Sequence, residues 1–158
     1  PSYLNSALEG KNIGLISEAG CPAVADPGAV VVEMAHEKNI EVIPLVGPSS
    51  ILLGLMASGK SGQSFVFHGY LPKDKSERIQ KIRQMESASK RNQTQIFMET
   101  PFRNNDLMDD LINTLNGSTK LIIACNLSTS KQRITNKPME FYKTNTLNLS
   151  KQPTVFYL

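Results

Sequence analysis

The sequence has few residues of the kinds that build metal centres or disulfide frameworks. Only two cysteines, Cys21 and Cys125, occur among its 158 residues, and their spacing suits neither kind of site. This scarcity fits a reducing compartment, so we expect a cytoplasmic protein that holds no metal. No apolar run approaches the roughly 20 residues that span a bilayer, and no signal peptide is recognisable, so we expect no membrane contact.

Catalytic signatures are also scarce. The dinucleotide-binding pattern G-x-G-x-x-G is absent, and no Ser-His-Asp arrangement can be argued from spacing. The two histidines, His36 and His68, are isolated, and we interpret both as structural. Net charge is small, since 17 basic residues against 14 acidic ones leave +3. This balance permits RNA binding without requiring it.

The first part of the chain has the pattern of an α/β protein. A short helix is predicted at 2–9, and buried strands are predicted at 12–17 and 41–47. Helices are predicted at 27–39, with Asp26 as N-cap and Pro27 at the first helical position, and at 48–59. The alternation of strand and helix predicts a parallel sheet in this lobe.

A second lobe is predicted after the Gly- and Ser-rich segment 59–64, which gives domains 1–62 and 63–158. The expected strands are 65–71, 94–100, 120–127 and 153–158. The expected helices are 74–90, where Asp74 and Glu77 are spaced like a capping box, and 104–117, where Leu107 and Leu111 share an apolar face. Residues 128–152 are polar, with one strand near 133–135 and a short helix near 139–143. Two strands alone make an unstable sheet, so we expect an incomplete first lobe that lacks an N-terminal strand of a longer protein.

Two strands of the first lobe end in loops of small residues, at 17–22 and 46–50. In open α/β sheets, ligands lie outside the carboxyl ends of the strands. Glycine lets a backbone approach a ligand, and the hydroxyls of Ser49 and Ser50 can hydrogen-bond to a polar small molecule. Each loop alone is typical of ordinary turns and caps. Cys21 can be a reactive thiol or simply a small turn residue.

The second lobe has a basic cluster between residues 73 and 91, followed by Arg103 in the stretch "METPFRNNDL". Phosphate neutralisation needs such charges, but so does a solvated helix face. Arg103 is placed either to bind a phosphate or to pair with Glu99.

Four stretches, in order, carry a resemblance to a known family: "LISEAGCPAVADPG" (15–28), "VIPLVGPSS" (42–50), "GYLPKDKSER" (69–78) and "METPFR" (98–103). Together they resemble the tetrapyrrole methylase family of S-adenosylmethionine-dependent methyltransferases. Within it, the chain looks most like the branch that methylates a cytidine 2′-hydroxyl in small-subunit ribosomal RNA. The resemblance covers the chain up to about residue 128.

The resemblance implies a bilobal α/β fold, usually a homodimer, with S-adenosyl-L-methionine in the cleft between the lobes. By position it implies that the cofactor-binding residues are Gly20, Cys21, Pro22, Val24, Ser49, Ser50, Met98, Asn126, Leu127 and Thr154. The substrate-side candidates are Lys73, Lys75, Arg78 and Arg103. It singles out no general base, so the catalytic residue is unknown.

Three hypotheses about function follow. The first is methylation of a ribosomal RNA ribose 2′-hydroxyl, and the second is methylation of a tetrapyrrole ring carbon. The third is a non-catalytic module that binds cofactor or RNA. The third stays open because the stretch Cys125–Thr129 lacks the charged pair that is typical of the ribosomal RNA branch.

Overall fold

The computed structural model describes residues 2–158, with side chains from residue 3 onward. Two compact units form, one ending at Ser49 and the other comprising Ser50–Leu158. The domain boundary expected between residues 62 and 63 concerns the lobes of the family fold and stays a prediction. In this chain, the helix Ser50–Ser58 packs on the sheet of the second unit through Ile51 and Leu55.

The described residues of the first unit contain helices but no strand. A 3₁₀ turn at Ser2–Leu4 leads into helix α1 (Asn5–Leu8), and helix α2 follows at Ala29–Glu37. The expected strands 12–17 and 41–47 are not formed, so their parallel pairing was wrong for this unit. A strand gains its stability from neighbouring strands and a covered face. Ile16 and Leu45, by contrast, are both 87% exposed here.

Helix α2 begins differently from the prediction. Its N-cap is Gly28, and no side chain caps it, so Asp26 is not the cap. The Asp26 carboxylate instead accepts a hydrogen bond from Ser17 Oγ at 3.0 Å. Because α2 begins at Ala29, two residues later than expected, Gly28 stands immediately before it and Pro27 is not its first helical residue.

The second unit has a mixed α/β architecture, as expected. Helix α3 (Ser50–Ser58) precedes a five-stranded sheet whose spatial order is β1-β2-β5-β3-β4. Strands β1 and β2 are parallel, and the other neighbours are antiparallel. In chain order the elements are β1 (Phe65–Tyr70), α4 (Lys75–Ser89), β2 (Thr94–Met98), α5 (Asn104–Thr114), β3 (Lys120–Cys125), β4 (Arg133–Pro138), α6 (Met139–Thr144) and β5 (Thr154–Tyr157).

Each face of this sheet has its own core, because side chains alternate between faces along a strand. Phe97 and Ile123 face α4, α5 and α6, and their cluster includes Leu111. Ile96 and Ile122 face α3 on the other side. Helices on both faces of a central sheet make one layered unit.

The predictions for the second unit were mostly correct. Asp74 caps α4 by accepting from Glu77 N at 3.0 Å. The strand and helix expected inside the polar stretch 128–152 are β4 and α6. No helix in the described part of the chain is both long and apolar enough to cross a bilayer.

Candidate functional site

The two small-residue loops of the first unit lie against each other. The Cys21 thiol lies 3.7 Å from the Gly47 carbonyl oxygen and 3.5 Å from that of Pro48, and can donate to either. The thiol therefore joins loop 17–22 to the segment 46–48. This contact favours the interpretation of Cys21 as a small residue that fits the turn, and it places Gly20, Cys21 and Pro22 beside the second loop.

The backbone after Gly20 is held in unusual conformations. Gly20 has a φ of +73°, while Ala23 and Ala25 have φ values of 63° and 56°. An alanine in the left-handed region is uncommon and costs energy, and such residues cluster at ligand sites. Ser17 Oγ braces the loop, since it lies 2.9 Å from Ala19 O and 3.0 Å from Asp26 Oδ1. Backbone strain concentrated in this loop indicates that it does more than connect two elements, as expected of a ligand-binding loop.

Space is open above this loop. A Cβ added to Gly20 would meet no protein atom within 4 Å. Val24, the remaining candidate of the first loop, is 49% exposed. The loop therefore presents peptide groups and small side chains to open space, which is the surface that a polar ligand needs for close approach.

The serines of the second loop lie on either side of the boundary between the units. Ser49 is half-buried at the end of the first unit, and Ser50 is exposed as the first residue of α3. The Ser50 carbonyl oxygen is engaged by Tyr157 Oη at 3.1 Å. Each serine remains a candidate through its hydroxyl.

The candidates of the second unit meet at one edge of the sheet. Strand β5 runs antiparallel between β2 and β3, so its start lies at their carboxyl ends. Met98 is opposite Val155, and Cys125 is opposite Thr154. The sheet therefore gathers four candidates, far apart in sequence, along this edge: Met98, Asn126, Leu127 and Thr154.

Gln152 links these candidates, and no motif or periodicity in the sequence marks it. Its Oε1 accepts from Asn126 Nδ2 at 2.8 Å and lies 3.3 Å from the Cys125 thiol. Its Nε2 donates to Asn148 O at 2.7 Å. Asn126 has a φ of 51°, and its N–H donates to Pro153 O at 2.9 Å. Gln152 therefore fixes the turn that leaves β3 to the segment that enters β5.

Asn104, the first residue of α5, also supports this edge. It is fully buried, and its Nδ2 donates to Gln152 O at 2.8 Å. Within the described residues its Oδ1 has no hydrogen-bond donor. A buried acceptor without a partner is rare in folded proteins and is typical of places where a ligand or water completes the structure.

Two of the four basic candidates are held by carboxylates. Arg78 donates to Asp110 Oδ2 at 2.7 Å and to the carbonyl oxygens of Pro72 and Lys73 at 3.0 and 2.8 Å. Arg103 contacts Glu99 Oε1 at 2.5 Å, which is one of the two roles considered for it. Both carboxylates are buried. Arg78 thereby ties the β1–α4 loop to α5.

The two lysine candidates are solvated. Lys75 is 74% exposed, and its Nζ lies 3.6 Å from Asp110. Lys73 is exposed and forms no ion pair with the residues that the structure describes. Lys73 is therefore the candidate whose charge is most available to an incoming phosphate.

One stretch matches the letters of a phosphate-binding loop without its structure. "GLMASGKS" (54–61) fits G-x-x-x-x-G-K-[ST], a match that the sequence reasoning missed. Such a loop connects a strand to a helix, whereas here Gly54–Ser58 belong to the end of α3. Helix carboxyl ends carry partial negative charge and repel anions, so the structure argues against phosphate binding there.

No group of three or more His, Cys, Asp or Glu side chains in the described residues is placed to hold a metal ion.

The profile of the family "Tetrapyrrole (Corrin/Porphyrin) Methylases" matches residues 3–140. The chain belongs to the tetrapyrrole methylase family. The match takes in both loops of the first unit and the edge candidates Met98, Asn126 and Leu127.

Curated relatives and solved structures agree with the family. The chain is 32% identical over 136 residues to "Ribosomal RNA small subunit methyltransferase I" of Vibrio cholerae, covering 86% of this chain and 46% of that protein. A relative of the same name from Halalkalibacterium halodurans is 38% identical over 69% of this chain and 37% of its own length. The chain thus spans less than half of either relative.

Among solved structures, the methyltransferase CobJ matches with a TM-score of 0.62 and 18% identity, over 98% of this chain and 66% of CobJ. Uroporphyrin-III C-methyl transferase from Thermus thermophilus, solved with S-adenyl homocysteine, matches with a TM-score of 0.50 and 15% identity, over 87% of this chain and 61% of its own. These likenesses establish the fold.

Proposed function

We propose that the protein containing this chain is an S-adenosylmethionine-dependent methyltransferase that modifies a cytidine ribose 2′-hydroxyl in small-subunit ribosomal RNA. The observation that carries the proposal is the family match over residues 3–140, together with relatives named for this RNA. Because the chain spans less than half of these relatives, the activity is proposed for the whole protein. Homodimerisation and a cytoplasmic location belong to the same proposal.

The residues present fit the cofactor. Loop 17–22 exposes its peptide groups to open space around Gly20. Ser49 and Ser50 offer hydroxyls that can hydrogen-bond to a carboxylate or a ribose. At the edge of the second unit, Asn126 and Leu127 follow a strand end, and Thr154 lies beside them. We assign the ten cofactor-binding candidates to these two surfaces.

When bound, S-adenosylmethionine supplies an electrophilic methyl group on a sulfonium centre. The protein's contribution to such a transfer is alignment, because fixing the reacting groups removes much of the entropic part of the barrier. The strained, braced backbone around Gly20 and the Gln152 network give this chain two rigid surfaces for that purpose. The ribose hydroxyl must also lose a proton, and no side chain here is assigned as the base.

Gly20 offers a direct test by titration calorimetry with S-adenosylhomocysteine, using the full-length protein. Gly20→Ala adds a methyl group where the ligand is placed, so we expect affinity to fall at least tenfold, a loss of about 1.4 kcal/mol. Gly10→Ala is the matched control, because Gly10 has a similar φ of +82° and equally open surroundings. It carries the same backbone strain away from the site.

The paired variants separate strain from ligand contact. Equal loss in both would mean that strain alone weakens binding, and unchanged affinity in Gly20→Ala would remove that residue from the site. If the wild-type protein does not bind S-adenosylhomocysteine, the proposed function fails.

A further inference from the structure

Two exposed aromatic rings stand on neighbouring loops at the edge of the sheet that carries Met98. Tyr70 ends β1 and is 57% exposed, and Phe102 follows β2 and is 75% exposed. Strands β1 and β2 are parallel neighbours, and Tyr70 is in register with Met98. Both loops therefore leave the sheet side by side. We call Tyr70 and Phe102 the aromatic pair.

The backbone is built to present Tyr70. The pairing of β1 with β2 has an irregularity between Phe67 and Tyr70, where β1 holds two residues opposite one. Gly69 lies inside it with a φ of +66°. Bulges of this kind re-aim side chains and are enriched next to active sites. The bulge places a tyrosine in solvent beside a strand end assigned to the cofactor.

Phe102 is exposed on a turn that is held firmly. Arg103 N donates to Thr100 O at 2.9 Å, and Lys151 N donates to Pro101 O at 2.9 Å. Thr100 N also donates to the buried Glu99 carboxylate at 2.6 Å. A large aromatic ring on an ordered turn is preorganised for contact, because little freedom is left to lose on binding.

Cations accompany both rings. Lys73 follows Tyr70 in the β1–α4 loop, and Arg103 follows Phe102. Three nearby carboxylates are already engaged: Asp110 by Arg78, Glu99 by Arg103, and Asp74 by the first turn of α4. The Nε and Nη1 atoms of Arg103 have no hydrogen-bond partner in the described residues. Aromatic faces next to an unpaired lysine and an arginine with unused donors have the composition of a single-stranded nucleic-acid surface.

We propose that the aromatic pair, with Lys73 and Arg103, is a stacking platform for unpaired RNA nucleotides next to the target ribose. The proposal rests on the proposed function, and it adds that the RNA substrate is unpaired around the target ribose. Sequence-tolerant stacking of bases on aromatic rings, with cations on the phosphates, is how proteins grip single strands, whereas duplex RNA hides its bases.

The test measures the affinity of the full-length protein for a fluorescent single-stranded fragment of small-subunit ribosomal RNA and for the same fragment annealed to its complement. Wild-type protein should prefer the single strand. Tyr70→Ala and Phe102→Ala should each weaken single-strand binding about 5- to 150-fold. Phe102→Tyr, which keeps a stacking ring, should stay within twofold of wild type. Phe65→Ala is the matched control, because Phe65 is 40% exposed at the opposite end of β1, and it should change nothing.

Salt separates the two parts of the platform. Lys73→Gln should lower the slope of log affinity against log salt by about 0.7, one phosphate contact on a single strand, whereas Tyr70→Ala should leave the slope unchanged.

Calorimetry with S-adenosylhomocysteine on the same variants should match wild type, which would show that they are folded. The platform is refuted if the alanine variants bind single-stranded RNA like wild type, or if Phe65→Ala loses as much. If wild type binds S-adenosylhomocysteine and methylates RNA, and the alanine variants do both equally well, only the platform fails. If wild type does neither, the proposed function fails with it.

Discussion

At Gly54, the lack of a side chain lets the sheet and helix α3 approach closely. Tyr157 Oη lies 3.1 Å from Ser50 O and 3.2 Å from Ile51 O, so a buried hydroxyl can donate to the first turn of α3. A Cβ at Gly54 would overlap Tyr157 Oη and lie 2.6 Å from its Cζ. Burial raises the pKa of Tyr157 well above its ordinary value, so the hydroxyl remains a donor at physiological pH.

Gly54→Ala should therefore destabilise the protein, although alanine is the better helix former. A clash this close to Tyr157 belongs in the upper part of the overpacking range, about 2–3 kcal/mol. Because alanine gains about 1 kcal/mol in helix propensity, we expect a net loss of about 1–2 kcal/mol. Gly62→Ala is the control, since its Cβ would meet only Leu55 Cδ2 at 3.9 Å. Urea unfolding measures both, and equal stability of Gly54→Ala and wild type would contradict the packing described.

His68 makes the stability of the protein depend on pH in the mildly acidic range. Burial lowers the pKa of His68 below its ordinary 6.5. The charge of Lys81 also lowers this pKa, whereas the hydrogen bond with Gln95 raises it. Well above pH 6.5 the ring is neutral in both folded and unfolded states. As the pH falls, the unfolded chain takes up the proton first, so the free energy of unfolding decreases.

His68→Gln should lose less stability than wild type when the pH is lowered from about 7 to about 5. His36→Gln, the same substitution at the exposed histidine of α2, is the matched control. Denaturant titrations at several pH values measure the difference. A His68→Gln curve parallel to that of wild type would show that this histidine does not contribute to the dependence.

At the scale of elements, the turn after β3 and the entry to β5 act as one piece through Gln152. Gln152→Ala would remove the acceptor of the half-buried Asn126 amide, a loss of about 0.5–1.5 kcal/mol. We expect lower stability and weaker binding of S-adenosylhomocysteine, because Asn126, Leu127 and Thr154 lose their common support.

Gln132→Ala is the matched control for Gln152→Ala. Gln132 accepts from Ser128 N at 2.9 Å at the outer side of the same turn, where it is exposed. This variant should stay close to wild type in both unfolding and calorimetry. Similar behaviour of the two variants would mean that the Gln152 network does not hold the edge.

Sequence pattern predicted the elements that carry their own signals. The capping residue Asp74 marked the start of α4, and the apolar spacing around Leu107 and Leu111 marked α5. The strands expected in the first unit failed, because an apolar run at 12–17 becomes a strand only beside partner strands. Asp26 failed as a cap because α2 begins only at Ala29, and its carboxylate accepts from Ser17 within the loop instead.

The candidate site was predictable only where it rests on local chemistry. Small residues in loops 17–22 and 46–50 indicated a ligand surface, and the Cys21 contacts bring those loops together. Gln152 and Asn104 could not be found this way, since a single buried amide leaves no periodic or motif signal. Their roles arise from partners at distant positions that only the sheet order joins, as with Asn104 and Gln152.

On the scale of the whole molecule, the proposed reaction uses candidate residues from both units. The first unit offers the strained small-residue loops, and the second offers the strand-end candidates and the basic and aromatic loops. The most direct measurement is transfer of a labelled methyl group from S-adenosylmethionine to small-subunit ribosomal RNA by the full-length protein, with acceptor fragments that differ only by a 2′-deoxy substitution at each cytidine in turn. Label should enter the RNA, and it should be lost when one particular cytidine lacks its 2′-hydroxyl. Label that persists through every 2′-deoxy substitution, or no transfer by a protein that binds the cofactor, would contradict the proposed function.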